Sequence, residues 1–141
     1  MFKKIFKKKE KTSNEDKVLV AALLVHAAKI DDNYTSLEKE IIKKALINLN
    51  SITSEEANKL LTVAEKKEHE SNQIIEFTQE IKKKTMEFRL KIIEILWKII
   101  YSDSTNDNYE SNLVRRICGL LYVSDKDSGL IKEKIIKSIN N

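Results

Sequence analysis

The sequence predicts an all-α protein of about seven helices. They form a compact bundle whose two pseudo-symmetric halves surround two central apolar helices. Three observations carry this expectation. The 141 residues include no Pro and only two Gly, fewer turn residues than a sheet-rich chain of this size needs. Apolar residues recur at helical spacing along most of the chain. One long stretch then returns further on at a constant offset, the mark of a duplicated supersecondary unit.

The elements follow in order. Helices are expected over about 14–31, 36–50, 54–70, 72–83, 85–103, 108–122 and 126–139, joined by short connections. "TSLE" at Thr35–Glu38 and "TSEE" at Thr53–Glu56 each fit a capping box, in which Thr accepts from a backbone N–H one turn in and Glu reaches back to the cap. "DNYE" at Asp107–Glu110 fits the same logic with Asp as cap. Ser124 or Asp125 can open the last helix. "VLVAALLVHAA" and "LKIIEILWKII" are apolar around most of their circumference and belong in the middle of the bundle, while the one-sided helices wrap around them. Trp97 and its neighbouring isoleucines are core on the same reasoning.

Charge divides the chain in two. Residues 1–11, "MFKKIFKKKEK", hold six Lys and one Glu, a net +5. The whole chain carries +4, which leaves −1 for the rest. The basic balance therefore belongs to an arm over residues 1–12, expected to be disordered, and the helical domain over 13–141 is near neutral. A near-neutral domain argues against a broad nucleic-acid face. Phe2, Ile5 and Phe6 share one side of the arm if it is helical, so with its lysines it could touch anionic lipid; the competing reading is a solvated tail. The longest apolar run, residues 18–25, is far below the ~20 residues of a bilayer span. With no secretory signal visible and a single cysteine, Cys118, read as a small core residue, the expected location is cytoplasmic, at most peripheral to the inner membrane face.

Residues 23–55 align with 95–127 without a gap, at an offset of 72. Asp31 falls on Asp103, Glu38 on Glu110, Leu24 on Leu96 and Leu49 on Leu121; "IIKK" at 41–44 falls on "LVRR" at 113–116. Both central helices are read as ending in an Asp, where the partial negative charge of a helix C-terminus makes an acid unfavourable by about 0.3–1 kcal/mol. The same choice made twice calls for a compensating group: a following helix N-terminus, a basic neighbour or a cation.

These residues resemble the TerB family, the tellurite-resistance-associated helical domain, and the related N-terminal domain of the DjlA co-chaperone. The family pattern is an apolar helix ending in Ala-Asp-Gly with a Glu seven residues after the Asp, occurring twice. Here the copies read "KIDDNYTSLEKEII" and "YSDSTNDNYESNLV", and "EFTQEI" before "RLKIIEILWKI" resembles the family's linker and second central helix. The resemblance spans about residues 15–135. Ile30 and Ser102 replace the alanines, and Asp32 and Ser104 replace the glycines, which removes an easy positive-φ turn.

The resemblance implies a seven-helix, non-catalytic binding module in stress or tellurite resistance, acting in a larger complex of protein partners. It also implies a metal site at the paired acids Asp31, Glu38, Asp103 and Glu110. Hard oxygen donors of this kind suit Ca²⁺ or Mg²⁺. An EF-hand is excluded: counted from Asp103 the loop has Asn108 at the turn-glycine position and Val114 at position 12, and counted from Asp31 it has Ile42 there. Capping alone also explains each Glu. The alternative function is therefore a co-chaperone-type accessory interaction domain with no metal. His26 reads as a satisfied, partly buried side chain and His69 as surface. No phosphate loop and no nucleophile–base arrangement points to an enzyme.

Overall fold

The computed structural model describes residues 14–30, 34–71, 73–102 and 108–140, apart from the side chains of 108–111 and 140. Seven helices run through these residues: α1 (Asn14–Ala28), α2 (Ser36–Asn50), α3 (Ser54–Glu70), α4 (Ile75–Ile81), α5 (Met86–Ile100), α6 (Asn108–Leu120) and α7 (Asp125–Asn140). The described residues contain no strand. The expected basic arm, residues 1–12, lies outside the described residues.

Capping chemistry sets the helix starts. Thr35 and Thr53 complete both expected boxes, each hydroxyl accepting from the N–H three residues on while the Glu carboxylate accepts from the Thr N–H. Ser124 caps α7, its hydroxyl accepting from the Asp127 N–H over 3.1 Å. Thr85 accepts from the Phe88 N–H, so it stands outside α5, one residue later than the periodicity suggests. At the other end, the Ser102 hydroxyl bonds the Ile99 carbonyl, closing α5 at Ile100 instead of 103. The expected Asp107 cap lies outside the described residues.

Two helices organise the core. In α1, Leu19 to Val25, Ala27 and Ala28 are buried; in α5, Ile92, Ile93, Ile95, Leu96, Trp97, Ile99 and Ile100 are. α1 packs against α2, α3, α4 and α5; α5 packs against α1, α2, α6 and α7. Every peripheral helix thus rests on one of the two helices whose sequence is apolar all round, as the cost of exposing such a helix requires.

The 72-residue register is visible in burial. Leu23, Leu24, Ala27 and Ala28 of α1 are buried, and so are Ile95, Leu96, Ile99 and Ile100 of α5. Ile42 and Leu46 of α2 match Val114 and Cys118 of α6. After α2 and α6 the chain makes the same turn, now one residue earlier. Ser51 has φ 51° and Tyr122 has φ 57°; each is followed by an apolar residue and then by the cap, Thr53 or Ser124. The Val123 N–H bonds the Cys118 carbonyl over 2.9 Å, which closes α6 with a Schellman turn. The contacts are not those of two identical halves, because α4, packed on α1 and α6, has no counterpart among the described residues.

Candidate functional site

Of the four predicted acids, Glu38 is described in full. The residue, 5% exposed, sits in the first turn of α2. Oε1 accepts from the Thr35 N–H at 2.8 Å and from the Thr35 hydroxyl at 3.1 Å. Glu110 lies in the first turn of α6, and its side chain is outside the described residues. Asp31 and Asp103 are outside them too.

Around Glu38, three helices bring together charges that no local motif announces. Tyr34 precedes the cap. Its hydroxyl is buried and lies close to Glu65 of α3 without reaching hydrogen-bond geometry. Burial, then the negative charges of Glu65, Glu38 and Glu68, push loss of its proton well above the ordinary phenol range. Lys39 stands 4.8 Å from the Tyr34 ring centroid and 3.6 Å from Glu65 Oε2. One turn along α3, Glu68 accepts from Lys29 Nζ at 2.7 Å and from His26 Nδ1 at 3.1 Å. Burial pulls the Glu68 carboxyl upward, but Lys29 and His26 outweigh it and hold it below the usual carboxylate value.

The junction is therefore a mixed network, with Glu38, Glu65 and Glu68 facing Lys29, Lys39 and His26. Among the described residues, no group of three His, Cys, Asp or Glu side chains is placed to hold a metal ion. The Tyr34, Lys39, Glu65 and Glu68 contributions were not legible beforehand. Glu65 and Glu68 sit at i and i+3 on α3, a spacing common on any charged helix face. Only the packing of α3 on α1 and α2 turns that face toward the junction.

The remaining chemistry-bearing groups lie away from this junction. Cys118 is buried in the core, which pushes its thiol pKa up. His69 is exposed on α3. Trp97 packs in the core and stacks on Tyr101 with centroids 5.9 Å apart.

The family model for the tellurite resistance protein TerB matches residues 17–133, from the first turn of α1 to the middle of α7. The chain belongs to the TerB family. No curated protein and no solved structure matches it. Membership makes this TerB domain a helical module related to tellurite resistance, and the match covers both central helices and both acidic connections. No helix among its described residues is long and apolar enough to cross a membrane.

Proposed function

We propose that this TerB domain is a non-catalytic binding module of a stress- or tellurite-resistance system. In this reading it takes a divalent cation, Ca²⁺ or Mg²⁺, at Asp31, Glu38, Asp103 and Glu110, and engages protein partners in a larger complex. The observation that carries it is Glu38: a buried acid, bonded to Thr35, at the very position the family's paired acids occupy. Its Oε1 accepts from the Thr35 N–H and the Thr35 hydroxyl, so the acid that the family pattern marks also caps α2. The non-catalytic part is supported by the use already made of reactive groups. His26 is tied to Glu68, and Cys118 is buried with a raised pKa.

The deciding experiment is calorimetric titration of metal-free protein with Ca²⁺, Mg²⁺ and Zn²⁺, with the Asp31→Asn/Asp103→Asn variant alongside. Saturable binding lost in the variant supports the reading. Absence of heat, together with an unmoved Tm, removes the cation.

A second reading is favoured by the same capping box. Because Thr35 already gives Glu38 a complete structural role, the domain can act as a co-chaperone-type accessory module with no metal. Its partner binding would then be indifferent to chelators. In either case the module acts in the cytoplasm, with the arm of residues 1–12 as an optional contact to anionic lipid through Phe2, Ile5, Phe6 and its lysines. Co-sedimentation with phosphatidylserine vesicles that persists after deletion of residues 1–12 would exclude the arm as that contact.

A further inference from the structure

The two halves treat one surface differently. α4 lies across α1 and α6, one helix from each half. Ile74, just before α4, and its Phe77 and Ile81 are buried, and the Phe77 ring meets His26 of α1 with centroids 6.5 Å apart. The start of α4 faces Arg116 and Leu120 of α6 across a small cleft. Under the 72-residue correspondence, α6 stands for α2 and α1 stands for α5. Arg116 and Leu120 then correspond to Lys44 and Asn48, and His26 to Lys98. Lys44 and Asn48 of α2 and Lys98 of α5 line one open cleft of about 410 Å³ between the two helices. The surface that α4 covers on α1 and α6 is therefore left uncovered, as a concavity, on the corresponding pair α5 and α2.

The cleft keeps an apolar floor. Ile41, Ala45 and Leu49 recur every fourth residue along α2, opposite Ile95 of α5. A face meant only for solvent has no need of a concave apolar stripe. Its edges carry Lys44 on one side and Lys91, Glu94 and Lys98 on the other, a rim with a net positive charge. Lys91 and Lys98 make only long contacts of 3.8 Å to Glu87 and Glu94, one turn back on their own helix.

We propose that the α2/α5 cleft seats an amphipathic helix from another protein, apolar on one side and acidic along its edges. The fold itself supplies the template, because α4 is a two-turn helix anchored on the equivalent surface by apolar residues at positions 74, 77 and 81. Charge selects against the chain's own arm, whose six lysines in residues 1–11 match the sign of the rim. Recognition is of the helix-in-groove kind, with anchors one turn apart giving affinity and the lysine rim giving orientation. This inference rests on the reading of the domain as a partner-binding module, and it names the chemistry of that partner.

The probe is a fluorescein-labelled, hydrocarbon-stapled helical peptide with Ile, Phe and Ile at the spacing of Ile74, Phe77 and Ile81 and glutamates along both edges. Anisotropy with the full chain should show saturable binding. Lys44→Glu/Lys98→Glu, which changes only exposed side chains, should weaken it roughly tenfold. Ala45→Arg should abolish it, and a lysine-edged peptide should bind worse than the glutamate-edged one. No saturation into the millimolar range overturns the proposal, as does equal affinity for wild type and the charge-reversed variant. A dimer that Ala45→Arg dissociates in sedimentation would make a second copy the occupant, and peptide binding that appears only after deletion of residues 1–12 would make it the arm; either result overturns the proposal. Cation titration is an independent readout. Peptide failure with cation binding intact removes the cleft alone, and the converse removes the cation alone.

Discussion

Trp97 of α5 donates its indole N–H to the Ser128 hydroxyl of α7 over 3.1 Å, and both residues are buried. The bond joins the second central helix to the last helix, beneath Lys132, whose ammonium lies 5.1 Å from the indole centroid. Ser128→Ala removes the acceptor while leaving a buried donor behind, which costs about 1–3 kcal/mol. Urea unfolding followed by Trp fluorescence should show a lower midpoint at an unchanged slope. An unchanged midpoint would mean that the indole N–H reaches water and the bond contributes nothing.

Glu38 allows capping to be separated from coordination. Glu38→Gln keeps an acceptor at the third helical position, and a capping box accepts Gln as well as Glu. Stability should therefore fall by less than about 1 kcal/mol, while Ca²⁺ or Mg²⁺ binding is lost. Thr35→Val should do the reverse, lowering the melting temperature with the carboxylate retained. If Glu38→Gln binds the cation as wild type does, Glu38 is a cap and nothing more.

The Glu68 network predicts a direction of pH dependence. Burial raises the carboxyl, the bonds from Lys29 and His26 lower it further, and the net shift is below the ordinary 4.5. A carboxyl held lower in the folded than in the unfolded chain contributes stability that is present above about that value and lost as pH falls through the folded one. Glu68→Gln should be less stable than wild type by about 1–2 kcal/mol at neutral pH, and the two unfolding curves should converge under acid. A difference that stays constant down to the acid transition would place the contribution in packing.

Tyr122 occupies left-handed backbone at φ 57°, and its side chain is 67% exposed. A residue with a Cβ pays about 1–2 kcal/mol in that region, and little packing offsets it here. Tyr122→Gly should raise stability by about 0.5–1 kcal/mol, seen as a higher thermal midpoint. Destabilisation would show that the exposed ring makes contacts worth more than the strain.

Much of the fold was legible in the sequence because its cues are local. Thr35–Glu38 and Thr53–Glu56 announce two helix starts, and both boxes form as read. The all-round apolar runs of α1 and α5 have one comfortable place, the centre of the bundle. Where these boundaries moved, a local hydrogen bond moved them. Thr85 prefers to accept from Phe88 rather than join the helix, and the turn closed by Val123 stops α6 before Tyr122. The candidate site was less legible. Glu38 could be singled out by its spacing from Asp31, whereas Glu65, Glu68, Lys29 and Lys39 look like ordinary surface charges until α3 is packed.

The sequence by itself determined the helical class, the two central helices, the buried Cys118 and the repeat at 72 residues. Each depends on periodicity or on capping chemistry within a few positions. Only the tertiary structure decided that Glu68 would meet Lys29 and His26 across 39 to 42 residues, that Trp97 would find Ser128, and that α4 would cover α1 and α6 while the α2/α5 cleft stays open. Such choices depend on which faces of separate helices come together, and burial of apolar surface, which drives that assembly, carries no direction that a linear pattern can record.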